Sequence, residues 1–279
     1  MIYAGCHLSN SAGNFAMVET ALSIGANTFA FFTRNPRGSQ AKQEDPEDSA
    51  RATAALQENG FGPLVAHGAY TMNLCTAEES GRAFACSLLC DDLRRMAALP
   101  GNYYNFHPGS HVGQGTEAGI DYIVKALKKA LEPGYPVTVL LETMAGKGSE
   151  IGGRFEELKA IIDGVGSNDI GVCLDSCHVH DGGYDIVNDL EGVLQEFDRV
   201  IGLHKLKALH LNDSKNPFMS HKDRHELLGD GSLGLDAFRS IVNHPVLCKL
   251  PMILETPNDL PGYAREIALL RSMQAYLQN

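Results

Sequence analysis

Short apolar runs and longer amphipathic stretches alternate along the whole chain, in a unit of about 30–35 residues. The apolar runs predict strands at Ile2–Cys6, Thr28–Phe32, Leu64–His67, Tyr103–His107, Val137–Glu142, Ile170–Asp175, Lys207–Leu211 and Met252–Glu255. The amphipathic stretches predict helices at 14–24, 46–59, 79–98, 117–131, 154–164, 187–202, 234–243 and 262–277. Eight strands that alternate with eight helices indicate the α/β class and a (β/α)8 TIM barrel. We expect residues 1–279 to form a single domain, because such barrels reach about 250 residues as one unit.

Composition limits the cellular setting more than the function. Hydrophobic residues make up 44% of the chain, which is enough for a sizeable core. The seven cysteines are odd in number and lack the spacing of a disulfide framework, and the first residues do not form a signal peptide. No apolar run approaches the roughly 18 residues of a membrane span. We therefore expect a reduced, cytoplasmic monomer with no membrane partner.

The net charge of −11 argues against a polyanionic partner. Bound divalent cations would change this balance, because all of their charge would lie in one cleft. The whole-chain charge therefore does not exclude nucleic acid.

Six consecutive predicted strands end in residue types that bind metal ions: His67, His107, Glu142, Asp175, His210 and Glu255. The carboxyl ends of the strands form the active-site face of this fold, so the six side chains should converge there. Core filling is a poor explanation, because buried carboxylates without partners are costly. Loops add His178, three residues after Asp175, and the pair Asp223 and His225.

The nine candidate ligands comprise five histidines and four carboxylates. Catalytic zinc takes about three protein ligands and keeps one position open, so nine ligands suit three ions if a carboxylate bridges two of them. Two ions roughly 3.5–4 Å apart are typical of in-line displacement at phosphorus. This pattern favours phosphodiester hydrolysis.

Two other functions compete with hydrolysis. A sugar isomerase or epimerase barrel of the xylose isomerase-like type would need only one Mn²⁺ or Mg²⁺, held by Glu142, Asp175, His210 and Glu255. Such an enzyme has no use for the other five ligands. A catalytically silent DNA-binding barrel would leave its buried carboxylates unused, which burdens stability.

Eight longer segments carry a pattern beyond the ligand spacing. They are GCHLSNSAGN at 5–14, FAFFTRNPR at 29–37, HGAYTMNL at 67–74, NFHPGSHVGQG at 105–115, LLETMAGKGSEIGGRFEEL at 140–158, IGVCLDSCHVHDGGYD at 170–185, HLNDSKNPFMSHKDRHELLGDGSLG at 210–234 and PMILETPND at 251–259. In these segments the chain resembles the endonuclease IV family of apurinic/apyrimidinic-site DNA repair enzymes, over nearly its whole length. The resemblance is specific, because several long motifs follow one another in the right order.

The resemblance implies a zinc-dependent (β/α)8 barrel with three Zn²⁺ that acts in base excision repair. Such an enzyme cuts double-stranded DNA 5′ to abasic sites, leaving 3′-hydroxyl and 5′-deoxyribose phosphate ends, and it also removes blocked 3′ ends. The implied zinc ligands are His67, His107 and Glu142 for one ion, Glu142, Asp175, His210 and Glu255 for the second, and His178, Asp223 and His225 for the third. Glu142 and Glu255 are the implied catalytic carboxylates that orient or deprotonate the attacking hydroxide. Tyr70 and Arg37 are the implied DNA contacts, with Tyr70 inserted at the flipped-out nucleotide.

The chain departs from the family pattern at three places. After Asn35 the family often reads Q-R-Q-W, whereas residues 36–39 read Pro-Arg-Gly-Ser and the chain has no Trp. We therefore expect a DNA-facing loop of different shape. Thr143 replaces a common Asn, and Lys147 replaces a Gln. A lysine at position 147 could contact phosphate and partly offset the acidic surface.

The remaining histidines and cysteines have simpler interpretations. His7 and Asp213 are expected to orient ligands by hydrogen bonds. His180 competes with His178 as a ligand, and the family motif favours His178. The histidines at 111, 204, 221 and 244 are read as surface or packing residues, and the cysteines at 173 and 177 as small buried hydrophobes.

Overall fold

The computed structural model describes residues 1–275. Within them, eight parallel strands close into a barrel in the order β1-β10-β7-β6-β5-β4-β3-β2. The strands are β1 (Tyr3–Leu8), β2 (Ala30–Phe32), β3 (Val65–His67), β4 (Tyr103–Phe106), β5 (Thr138–Glu142), β6 (Ile170–Asp175), β7 (Leu206–His210), β8 (Asp213–Ser214), β9 (His225–Glu226) and β10 (Pro251–Leu254). The helices are α1 (Asn14–Ser23), α2 (Pro46–Glu58), α3 (Glu79–Met96), α4 (Thr116–Leu131), α5 (Phe155–Val165), α6 (Ser176–Gly182), α7 (Leu190–Val200), α8 (Leu235–Asn243) and α9 (Leu260–Met273). The prediction of an α/β barrel is confirmed.

Two small elements were not predicted from the sequence. Helix α6 begins directly after β6, where Asp175 accepts a hydrogen bond from the backbone N–H of His178 and caps the helix. Strands β8 and β9 form an antiparallel ribbon within the loop between β7 and α8. Both elements lie at the carboxyl ends of the barrel strands. The last helix, predicted at 262–277, spans Leu260–Met273 in the structure. Positions 276 and 277 of that prediction lie outside the described residues.

Hydrophobic burial occurs in two layers. Inside the barrel, small and branched side chains from six strands form a compact cluster of Ala30, Val65, Leu140, Cys173, Ala208 and Ile253. A larger layer packs the outer faces of the strands against the helices. Helix α5 shows why, because its buried residues recur at the helical period, from Phe155 through Leu158 and Ile162 to Val165. The core therefore lies below the carboxyl ends of the strands and leaves that face to polar residues. Among residues 1–275, no helix is long and apolar enough to cross a membrane.

Candidate metal centre

The nine ligand candidates converge at the carboxyl ends of the strands. His67, Glu142, Asp175 and His210 are the last residues of β3, β5, β6 and β7, and Glu255 directly follows β10. Their donor atoms fall into three groups in which every atom lies within 4.8 Å of the others: His67, His107 and Glu142; Glu142, Asp175, His210 and Glu255; and His178, Asp223 and His225. These are the groups that the family resemblance implies, and Glu142 belongs to two of them.

Glu142 is the centre of this arrangement, and its side chain is fully buried. One carboxylate oxygen, Oε2, lies 3.2 Å from His67 Nε2 and 3.5 Å from His107 Nε2. The other, Oε1, lies 3.3 Å from Nδ1 of His178 and 3.3 Å from Nδ1 of His210. Oε2 thus faces ring nitrogens of His67 and His107, and Oε1 faces that of His210, so the carboxylate is placed to bridge two cations.

Hydrogen bonds from the rings to backbone carbonyls define which ring nitrogen carries the proton. His67 Nδ1 lies 2.7 Å from the Gly68 carbonyl, and His178 Nδ1 lies 2.9 Å from the Thr143 carbonyl. A carbonyl only accepts, so each Nδ1 carries the proton and the Nε2 of a neutral ring presents a lone pair. That lone pair faces Glu142 Oε2 in one case and Asp223 Oδ1, at 3.3 Å, in the other. Two acceptors face each other in both pairs while the rings are neutral, so either a proton or a metal ion must lie between them.

Several buried donor atoms in the described chain make no hydrogen bond. Among the nine ligand candidates, these atoms are Glu142 Oε1, His178 Nε2, both ring nitrogens of His210, and His225 Nε2. Buried polar atoms of this kind normally cost about 1–3 kcal/mol each when unpaired, and more when charged. Neutral imidazole and carboxylate are the ligand types that zinc and manganese accept. The residues present therefore fit bound divalent metal.

The charges of the site hold the carboxylates ionised. Burial by itself would raise the pKa of Glu142, but the imidazoles of His210 and His107 bring that pKa well below its usual value. Burial would lower the pKa of the His178 imidazole, but Asp175 and Asp223 raise it well above its usual value. Without metal, the site therefore attracts a proton to His178. Protons and metal ions compete for the same nitrogen atoms.

The third group depends on the loop between β7 and α8, which carries Asp223 and His225. Asp213, expected to orient a ligand, instead accepts hydrogen bonds from the backbone N–H groups of residues 214, 229, 231, 233 and 234. Asp181 in α6 is fully buried and accepts from Ser214 Oγ at 2.7 Å and Asn216 Nδ2 at 3.2 Å. Two buried carboxylates that bind no ligand candidate thus shape the loop.

Two amides hold the ligands in place and were missed in the sequence. Asn105 donates from Nδ2 to Glu142 Oε2. Asn212 donates from Nδ2 to Asp175 Oδ2 at 2.7 Å and to Glu255 Oε2 at 3.3 Å, and its Oδ1 accepts from the Glu255 backbone N–H at 2.8 Å. Their position in the sequence could have identified them. Asn105 lies two residues before His107 and Asn212 two residues after His210, a spacing that places side chains on the same side of an extended chain. His7, expected to orient a ligand by a hydrogen bond, places Nε2 2.8 Å from Glu255 Oε1 but without hydrogen-bond geometry.

The two candidate DNA contacts lie beside the metal centre and on its rim. Tyr70 is 57% exposed, and its ring centroid lies 5.7 Å from that of His67 and 5.9 Å from that of His107. Arg37 is exposed, and its backbone N–H donates to Asn35 Oδ1 at 3.0 Å. Lys147 is also exposed. The structure thus leaves both proposed DNA contacts free to reach a ligand.

The cysteines near the centre behave mainly as buried apolar groups. Burial raises the pKa of the Cys173 thiol to about 11. Cys177 lies close enough to Asp175 and His225 to form a further grouping of possible ligands. Burial also raises the pKa of Cys177, because a thiolate is poorly solvated there. This supports the interpretation of both residues as packing residues.

Comparison with known proteins places this geometry in a family. The xylose isomerase-like TIM barrel family matches residues 18–273. A protein of Alkaliphilus oremlandii called probable endonuclease 4 is 59% identical over 272 residues, which is 97% of each chain. The chain belongs to the endonuclease IV family.

Solved structures support membership of the endonuclease IV family. Endonuclease IV from Thermus thermophilus superposes with a TM-score of 0.85 at 34% identity, over 97% of this chain and 98% of that one. D-psicose 3-epimerase from Clostridium cellulolyticum superposes with a TM-score of 0.69 at 14% identity, over 99% of both chains. The second similarity shows only that the epimerase shares the barrel fold.

Proposed function

We propose that this chain uses three zinc ions to hydrolyse the phosphodiester bond 5′ to abasic sites in double-stranded DNA. As a member of the endonuclease IV family, it is an apurinic/apyrimidinic endonuclease, a hydrolase of DNA repair. The observation that carries the finer proposal is the fully buried Glu142, whose Oε2 faces Nε2 of His67 and of His107 and whose Oε1 faces Nδ1 of His210. A barrel enzyme that binds a single metal ion would need ring nitrogens at only one of the two Glu142 oxygens.

The three ligand groups would each hold one zinc ion. His67, His107 and Glu142 would hold the first, Glu142, Asp175, His210 and Glu255 the second, and His178, Asp223 and His225 the third. Bound zinc would supply Lewis acidity toward the phosphate oxygens and would favour ionisation of the attacking water. Glu142 would be a ligand of both the first and the second ion.

Glu255 is best suited to handle the proton of the attacking water. Its side chain is 12% exposed, whereas that of Glu142 has no exposure, so Glu255 can reach solvent at the mouth of the barrel. Burial would raise the pKa of Glu255, but His210 and His7 bring it well below its usual value, which keeps the carboxylate ionised. His7 lies against Oε1 and His210 against Oε2, so both oxygens have a fixed direction. Glu142 would orient the water from below.

DNA would bind across the face that carries Tyr70 and Arg37. Insertion of the exposed Tyr70 ring would fill the space that a missing base leaves, and unstacking costs least at such a site. Arg37 and Lys147 would pair with phosphates and offset the acidic net charge of the chain. The expected products are a 3′-hydroxyl and a 5′-deoxyribose phosphate, with removal of blocked 3′ ends as a second activity. We propose that the protein acts as a monomer.

The test is cleavage of a duplex with one abasic analogue by the purified chain, run beside a matched intact duplex. The proposal expects a cut on the 5′ side of the analogue, inhibition by a chelator, and recovery on addition of zinc. Products with a 3′-phosphate, or equal cutting of the intact duplex, would contradict it. A preparation that instead isomerises ketoses with one manganese per chain would support the isomerase alternative.

A further inference from the structure

The loop between β2 and α2, residues 33–45, is held against helix α3 by a buried guanidinium. Arg34 is 5% exposed. Its Nε donates to Asp92 Oδ1 at 2.9 Å, and its Nη2 donates to Asp91 Oδ2 at 2.8 Å. On the loop side, Nη1 donates to the Ser39 carbonyl at 2.7 Å. One side chain thus joins the beginning of the loop, its middle and the helix.

Asp92, on helix α3, completes this clamp by joining it to strand β4. Its side chain is fully buried, and its second oxygen accepts a hydrogen bond from the Tyr104 hydroxyl at 2.7 Å. Burial would lower the pKa of Arg34, but its contacts with Asp92 and Asp91 raise it, so the guanidinium stays charged. A buried pair of this kind is strongly destabilised when one partner is lost. The buried Arg34 is therefore stable only while it stays paired with Asp92 and Asp91.

The clamped loop carries one proposed DNA contact and touches the other. Within it, the Asn35 N–H donates to the Gln40 carbonyl at 2.9 Å, and the Gly38 N–H donates to the Asn35 carbonyl at 3.1 Å. Arg37 lies inside this turn. The Tyr70 N–H donates to the Pro36 carbonyl at 3.0 Å, which joins the β3–α3 loop to the same turn. The position of the loop therefore affects both Arg37 and Tyr70.

We propose that Asp92 is a positioning residue for DNA binding, which acts through Arg34 to hold the β2–α2 loop in its binding shape. The proposal rests on the proposed function, because it takes Arg37 and Tyr70 as DNA contacts. A loop that is already ordered avoids the entropy loss of about 1–2 kcal/mol per residue that ordering on binding would bring. The clamp would supply that order without the aromatic residue that the family often has in this loop.

Asp92→Asn tests the proposal. An amide offers one acceptor oxygen where Arg34 and Tyr104 both donate, so one donor loses its partner. We expect the binding-competent loop to fall to about one tenth of the population, which raises KM for the abasic duplex about tenfold with kcat unchanged. Hydrogen exchange in the absence of DNA should become faster at the amides of residues 35 and 38. A role limited to stability would lower the melting temperature and leave KM unchanged.

Ile161→Val is the matched control, because Ile161 is fully buried in α5, across the barrel from the loop. It should lower stability without changing KM or exchange in the loop. If Asp92→Asn fails to fold, Arg34→Lys replaces it, since it keeps the charge and loses the arm that reaches Ser39. Unchanged KM and unchanged exchange in whichever variant folds would overturn the proposal. Failure of the proposed function would show separately, as wild-type protein that does not cut abasic DNA.

Discussion

Asn212 offers a direct way to test whether the ligands of the metal centre are held in advance. Its side chain contacts two proposed ligands of the same ion, Asp175 and Glu255, through the three hydrogen bonds described above. Asn212→Ala removes all of them and leaves the buried Asp175 and the partly exposed Glu255 with fewer donors. We therefore expect losses in both stability and metal affinity.

The structure sets the size of the two losses. Each hydrogen bond to a charged group contributes about 1.5–3 kcal/mol, so loss of the two carboxylate contacts should lower the free energy of unfolding by about 3–6 kcal/mol. The metal-free and metal-loaded proteins both lose these bonds. Zinc affinity therefore falls only by the part that comes from ligand orientation, about 10–100-fold.

The assay compares zinc affinity, by competition with a chelating dye, with thermal unfolding of the same samples. Asn102→Ala is the control, because Asn102 is also a buried amide but lies before β4, at the opposite end of the barrel. Its Oδ1 accepts from the Leu64 N–H at 2.7 Å, and its Nδ2 donates to the Leu99 carbonyl at 2.9 Å. This control should lose stability and keep wild-type zinc affinity. Equal zinc affinity in Asn212→Ala and wild type would refute the reasoning.

Three further predictions concern the bridge, the DNA contact and pH. Glu142→Ala should abolish cleavage, because two ions lose a shared ligand; near-normal cleavage would remove Glu142 from the mechanism. Tyr70→Ala should weaken binding of abasic duplex about tenfold, in line with the loss of one stacking contact, while zinc content stays the same. Phe84→Ala removes another exposed aromatic ring and should leave affinity unchanged; equal affinities for all three proteins would argue against insertion of Tyr70. Zinc should be released as the pH falls through neutrality, because protons compete for His178 and His210, whose pKa values lie well above the usual value in the metal-free site. Zinc content that stays constant down to pH 5 would contradict this competition.

The barrel and the ligand candidates could be predicted because both follow from local periodicity. An apolar run followed by an amphipathic stretch marks a strand and its helix, and the fold then brings the strand ends together. Residues such as His67 and Glu142 are therefore recognisable without knowledge of any contact. The roles of Asn105 and Asn212 were missed because an amide is not a typical metal ligand.

Other features depend on contacts between distant segments. The shape of the β2–α2 loop depends on the contact between Arg34 and Asp92, which are 58 residues apart. No local sequence pattern predicts a contact over that separation. Asp213 accepts from backbone groups as far along the chain as Gly234, so its role depends on the folded shape of the whole β7–α8 loop. Helix α6 has only seven residues, too few for a periodic pattern to show.

We propose that nine side chains from distant parts of the chain together hold three cations around Glu142. Native mass spectrometry of the purified protein, with elemental analysis of the same sample, measures the ions per chain directly. We expect three zinc ions in the wild type and fewer in Glu142→Ala. One ion per chain in the fully loaded wild type would contradict it.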